Sequence, residues 1–181
     1  HPTQALADLL TVLEAKGSLA GVTLAFVGDG NNVARSLCLG AAMLGLHFRI
    51  ASPEGYELPP GLVERARRYA EASGGSVRLF RRPEEAVAGA DVVYTDVWTS
   101  MGQEAEAEER RRAFAGYQVD GRLLSLAAAD AIFMHDLPSH RGEEVTEEVI
   151  EGARSVVFQQ AENKTHAIRA LLALLLAGEG A

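Results

Sequence analysis

The chain has one cysteine, one tryptophan and three methionines in 181 residues, and each scarcity removes a class of protein. A lone Cys38 cannot close an internal disulfide, so a stapled secreted fold is excluded and a reducing compartment fits. It lies in the apolar helical run RSLCLGAAMLG, which reads as core packing rather than as a nucleophile. Positive charge is also short: 17 Lys and Arg face 25 Asp and Glu, for a formal charge of −8. That balance argues against sequence-independent nucleic-acid binding, which needs clustered cations. Arg65, Arg67 and Arg68, and Arg110 to Arg112, sit beside Glu in helical stretches and read as solvated faces. Long apolar runs are missing as well, since IRALLALLLAG is too short to span a bilayer. With neither a signal peptide nor an initiator Met, the chain reads as a cytoplasmic part of a longer protein, free of the membrane. What remains is 48% hydrophobic, enough for one domain with a substantial core.

Short β-rich runs alternate with helical patterns. Strands are expected at 23–29, 48–53, 76–80, 92–98 and 132–138, and helices at 2–16, 32–45, 61–73, 83–89, 104–115, 146–151 and 162–177. Such alternation implies an α/β domain: a doubly wound, Rossmann-like parallel sheet of about five strands with helices on both faces. Ligands in these sheets collect outside the carboxyl ends of the strands, where strand order reverses. The polar loops that follow strands are GDGNN (28–32), DVWTSMGQE (96–104) and HDLPSHRGEE (135–144).

Each loop admits two readings. GDGNNVARS resembles a phosphate-binding turn, but Val33 stands where a third glycine would complete the dinucleotide motif. Alone it reads as an Asx turn with Asn31 or Asn32 as helix cap. In DVWTSMGQE, Asp96 would pair with an ammonium and Ser100 with a carboxylate or amine. Equally, Ser100 and Gln103 make a capping box. HDLPSHRGEE gathers His135, Asp136, His140, Glu143 and Glu144, yet its spacing matches no usual zinc pattern, so no metal is assigned. Pro138 fixes the chain after the strand and aims residues 135 to 137 at a ligand. In AENKTHAIRALL, Lys164 is placed in the first turn of the last helix, where the dipole disfavours a cation unless an anion lies near.

Taken in order, HPTQALADLLT (1–11), GDGNNV, DVWTSMGQE, HDLPSHRGEE and AENKTHAIRALL make the chain resemble the ornithine carbamoyltransferases of the aspartate/ornithine transcarbamylase superfamily. The resemblance covers nearly the whole chain, and SMG points to the ornithine enzymes over the aspartate enzymes. It implies transfer of a carbamoyl group from carbamoyl phosphate to L-ornithine, giving citrulline and phosphate with no cofactor. It also implies an earlier domain with a Ser-Thr-Arg-Thr loop for carbamoyl phosphate, absent from this chain, and a homotrimeric whole. By the same resemblance His1 and Gln4 would touch carbamoyl phosphate, with Lys164. Asn32, Asp96, Ser100 and Met101 would hold the α-amino and α-carboxylate groups of ornithine. His135 would donate to the carbonyl oxygen, and the Leu137 carbonyl would orient the reacting amine.

Two departures stand out. The family usually has Cys where this chain has Asp136, and Arg where it has Lys164. A carboxylate at 136 favours the ammonium form of ornithine, or serves as the base that deprotonates it. Lys164 offers a point charge in place of a planar fork. One expectation is that Asp136 and Lys164 face each other and offset one another's charge, the other that they arose by drift or engineering. Alternatives to the transferase are a silent ornithine-binding or interaction module, a carbamoyltransferase for another amine, and a nicotinamide-binding oxidoreductase that rests on topology alone.

Overall fold

In a computed structural model, which describes residues 1–100 and 102–177, the segment Thr23–Val27 forms strand β1 and is buried along its whole length. A strand buried at successive positions needs cover on both faces. Strands β2 (His47–Ala51), β3 (Ser76–Phe80), β4 (Val92–Thr95) and β5 (Ile132–Met134) join it in one parallel sheet of order β3-β2-β1-β4-β5. Alternate residues then serve two cores. Leu24 and Phe26 of β1, with Tyr94 and Met134, pack under α1 (Pro2–Lys16), α2 (Asn32–Met43) and α3 (Pro60–Ser73). Ala25 and Val27, with Val93 and Phe133, pack on the opposite side under α4 (Pro83–Val87), α6 (Gly121–Leu124) and α7 (Glu147–Ile150).

Helices α1, α3 and α4 each open with a proline in the first turn, where the missing N–H costs nothing. A 3₁₀ turn at Glu104–Glu106 and α5 (Ala107–Ala113) replace the single helix expected at 104–115. The short α6 was not anticipated; Asp120 caps it by accepting from the Leu123 N–H at 2.7 Å. The largest correction concerns α8, which runs from Val157 to Leu176 and not from 162. Its start carries no side-chain cap, because Val156, Val157 and Phe158 are β-branched or aromatic and have no acceptor to offer. Lys164 therefore lies two turns inside the helix. The dipole argument for a cation in the first turn does not apply. None of the described helices is long and apolar enough to cross a membrane.

Gly30 explains the GDGNN turn without a phosphate. A Cβ built there would stand 2.5 Å from the carbonyl carbon of Glu57 and from the amide nitrogen of Leu58. The Gly30 N–H donates to the Tyr56 carbonyl at 2.7 Å, so the two loops are locked backbone to backbone. Gly30→Ala should force them apart and destabilise the chain by about 1–3 kcal/mol, as overpacking of a closed site does. Urea denaturation checks this, and an unchanged midpoint would mean that the 57–58 segment yields freely.

Candidate functional site

From β1 the chain winds outward through β2 and β3, then returns to place β4 on the other side of β1. The crevice above the carboxyl ends of β1 and β4 is thus the switch point. Asn31 and Asp96 close over it. As N-cap of α2, Asn31 accepts at Oδ1 from the N–H groups of Val33 and Ala34, both at 3.0 Å. Its Nδ2 donates to Asp96 Oδ2 at 2.7 Å, while Asp96 Oδ1 accepts from the Val97 N–H at 2.7 Å. Both Asp96 oxygens are acceptors, the role of an ionised carboxyl. Asn32, singled out from the sequence, is exposed, and its Oδ1 accepts from the adjacent Val33 N–H at 3.1 Å. The bridging residue is its neighbour.

At the end of β5, His135 has no exposed surface, and three bonds hold it. Its N–H donates to Gln160 Oε1 at 2.9 Å, and its Nδ1 accepts from the Leu137 N–H at 2.9 Å. Nε2 must then carry the ring proton, which it donates to Glu144 Oε1 at 3.1 Å. The same oxygen accepts from the His140 N–H at 2.6 Å. Neither ring nitrogen has a proton left for a substrate carbonyl in this arrangement, so the direct-donor role read for His135 becomes a positioning role. Glu144, which the sequence offered only as one acid of the HDLPSHRGEE loop, is fully buried and is the partner that sequence reasoning missed. Leu137 follows with φ 54, a left-handed conformation that non-glycine residues rarely adopt, and its bond to Pro138 is cis.

Asp136 lies beside Asp96 and not beside Lys164. A carboxyl oxygen of each lies within 4.8 Å of the other, and burial, then Asp96, then Asp8 push the Asp136 pKa well above the carboxylate range. Among the described residues Lys164 makes no ion pair, and the carboxyl it influences is Asp8. The expected Asp136–Lys164 pair is therefore corrected.

Asp8 is the hub beneath the crevice. Its Oδ1 accepts from Gln4 Nε2 at 2.8 Å and from Gln160 Nε2 at 2.7 Å, and its Oδ2 from the Tyr94 hydroxyl at 3.2 Å. Burial raises its pKa to about 6 against these three donors and Lys164. Gln4 is only 1% exposed, and its Oε1 is buried without a partner, whereas His1 is exposed. On the other wall, Ser100 donates its N–H to Gln103 Oε1 at 3.1 Å, one half of the capping box. Met101 lies outside the described residues. Arg110, read as a solvated charge, is 6% exposed: Nη1 donates to Asp29 Oδ2 at 2.7 Å and to the Trp98 carbonyl at 2.8 Å, fastening the 96–104 loop to the β1 loop.

Two groups bring three potential metal ligands together: Asp96, His135 and Asp136, and His140, Glu143 and Glu144. In the first, the His135 Nδ1 lone pair is taken by the Leu137 N–H. In the second, Glu144 Oε1 already serves two donors. The donor chemistry of neither group favours a metal.

Fold and crevice define a doubly wound α/β domain with an acidic pocket at its switch point. Over residues 20–175 the chain matches the model of the family described as aspartate/ornithine carbamoyltransferase, Asp/Orn binding domain, and it belongs to that family. The ornithine carbamoyltransferase of Acidothermus cellulolyticus is 59% identical over 180 residues, covering 99% of this chain and 58% of that protein. The Bacillus subtilis ornithine carbamoyltransferase is 57% identical over 99% of this chain and 56% of its own. Among solved structures, the ornithine carbamoyltransferase from Pyrococcus furiosus superposes with TM-score 0.94 at 53% identity, over 98% of this chain and 57% of that one. The ornithine transcarbamoylase from Giardia lamblia still reaches 0.90 at 30% identity, over 98% of this chain and 60% of that one. The chain spans less than two thirds of each.

The raised pKa of Asp8 makes stability fall with pH. Between the ordinary value of 3.8 and about 6, the folded chain keeps a proton that the unfolded chain has lost. The cost on crossing that window is on the order of 3 kcal/mol. Asp8→Asn keeps an acceptor for Gln4 and Gln160 but cannot ionise. The parent should therefore lose stability relative to this variant as pH rises through the window, measured by denaturant unfolding at several pH values. A pH-independent difference would show that Asp8 titrates as an ordinary carboxyl.

Proposed function

We propose that this chain is a single domain, the ornithine-binding half of an ornithine carbamoyltransferase that works with a separate carbamoyl-phosphate domain. The observation that carries this reading is Asp96, an acceptor-only carboxyl held by Asn31 and Val97 at the switch point of a chain of this family. Such a group pairs with the α-ammonium of an amino acid. In this reading Asn32, Ser100 and Met101 would take the α-carboxylate and the chain of L-ornithine. The side chain of ornithine then reaches toward residues 135 to 137.

There the neutral δ-amine attacks the carbonyl carbon of carbamoyl phosphate. A tetrahedral intermediate forms, and it collapses to citrulline as the C–O bond breaks and phosphate leaves with the electron pair. Catalysis of this kind is mostly positioning. The Leu137 carbonyl orients the amine, and the locked His135 ring sets the direction in which Asp136 and Leu137 point. Gln4 Oε1, an acceptor without a partner, suits the carbamoyl NH₂; His1 and Lys164 would meet the phosphate end. The exposed Leu172, Leu174, Leu175 and Leu176 of α8 offer an apolar face for the other domain. In this reading the whole enzyme is a cytoplasmic homotrimer, a setting that suits a single buried thiol. Asp136 in place of the family's Cys is the one observation favouring a binding module without turnover.

Calorimetric titration with L-ornithine tests the reading. The parent should bind, and Asp96→Ala should bind about 10–100-fold more weakly, the loss expected for one charge-assisted hydrogen bond. Citrulline should appear only when the carbamoyl-phosphate domain is added. Binding without citrulline in the mixture would favour the silent module, and equal affinity of parent and variant would remove Asp96 from the site.

A further inference from the structure

Asp96 and Asp136 stand above the switch point with a carboxyl oxygen of each within 4.8 Å of the other. Among the described residues neither carboxyl forms an ion pair with Lys or Arg. His135 Nδ1 lies 3.8 Å from Asp136 Oδ1, but that nitrogen accepts from the Leu137 N–H and carries no proton. Asp96 uses both oxygens as acceptors, so it has no hydrogen to give. The Asp136 side chain is 11% exposed, and its Oδ1 is buried without a partner. Two carboxylates this close and this shielded from water repel each other unless one of them keeps a proton. Elements packed around the pair add to its negative surroundings or are neutral: Asp8 from α1, the Tyr94 hydroxyl from β4, and His135 with its buried partner Glu144. Lys164 from α8 acts on Asp8.

We propose that Asp96 and Asp136 hold one proton between them in the ligand-free chain and release it when an ammonium group binds, leaving Asp136 as the base beside the reacting amine. The release step rests on the reading of the chain as the ornithine-binding half. The α-ammonium of ornithine replaces Asp136 as the partner of Asp96, and the shared proton leaves to solvent. Asp136, now a carboxylate, takes one proton from the δ-ammonium. The freed lone pair forms the C–N bond, the C–O bond to phosphate breaks with its electrons on phosphate, and the second proton of the attacking nitrogen leaves with phosphate. Bond and proton counts close with ornithine and carbamoyl phosphate alone.

Two measurements on the 181-residue chain test this. The infrared difference spectrum of ligand-free parent minus Asp136→Asn, at neutral pH, should contain the carbonyl band of a neutral carboxylic acid. Carboxylate bands alone in that spectrum overturn the shared proton, whether or not ornithine binds. Calorimetric titration with L-ornithine in two buffers of different ionisation enthalpy should give about one proton released per ligand for the parent and none for Asp136→Asn. Equal release from both overturns the coupling. Absence of any ornithine heat overturns the ornithine reading and the release step with it, while the shared proton is judged on the infrared band alone.

Discussion

The structure turns on one buried carboxyl. Asp8 sits where α1, α8, β4 and β5 converge, and its hydrogen bonds to Gln4, Gln160 and Tyr94 join all but the last directly. The link to β5 is completed by Gln160, which uses its NH₂ on Asp8 and on the Tyr94 hydroxyl and its carbonyl oxygen on the His135 N–H. Buried polar groups of this kind are costly unless every member finds a partner. The network therefore permits only one seating of α1 and α8 on the sheet, and the same seating fixes where β5 ends. A ligand crevice built over that end inherits its geometry from a residue that need not touch the ligand.

The charge of the crevice follows from the same arrangement. Asp8, Asp96 and Asp136 are close enough to influence one another, while the nearby cation, Lys164, acts on the deepest of them. On the opposite side Arg110 is spent on Asp29 and on the Trp98 carbonyl, holding a wall in place and leaving the pocket negative. Burial raises the pKa of Asp29 despite that partner. Acidic groups gathered in this way present a negative potential at the switch point.

Much of this was legible in the sequence. Five short β-rich runs separated by helical spacing pointed to the sheet. The polar loops after β1, β4 and β5 gave the crevice. What escaped notice was charge placed on an inward face. In ERRRA three successive arginines point about 100° apart around α5, so only Arg110 faces inward, and composition does not say which. Glu143 and Glu144 pose the same problem in a loop, where no periodicity applies. Asp8 did leave a signal, since it lies in register with Ala5, Leu9 and Val12 on the apolar stripe of α1. An acid on such a stripe requires partners from elsewhere in the chain, and Gln160, 152 residues away, is invisible to local reading.

The β5 loop shows why position 136 can change its chemistry without changing the fold. Its neighbours determine its direction: the His135 N–H is tied to Gln160, the ring to Glu144, and the Leu137 N–H to the ring. Leu137 is also packed against the core on the far side of the sheet, which holds its left-handed backbone in place at a cost of order 1 kcal/mol. None of these bonds uses the side chain of residue 136. The direction of that side chain is therefore set by the backbone on either side of it. The backbone restraints are thus a rigid mount, and the substitution alters only the proton affinity of the group the mount presents. Burial first, and after it Asp96, held by Asn31 and the Val97 N–H, makes that proton affinity high.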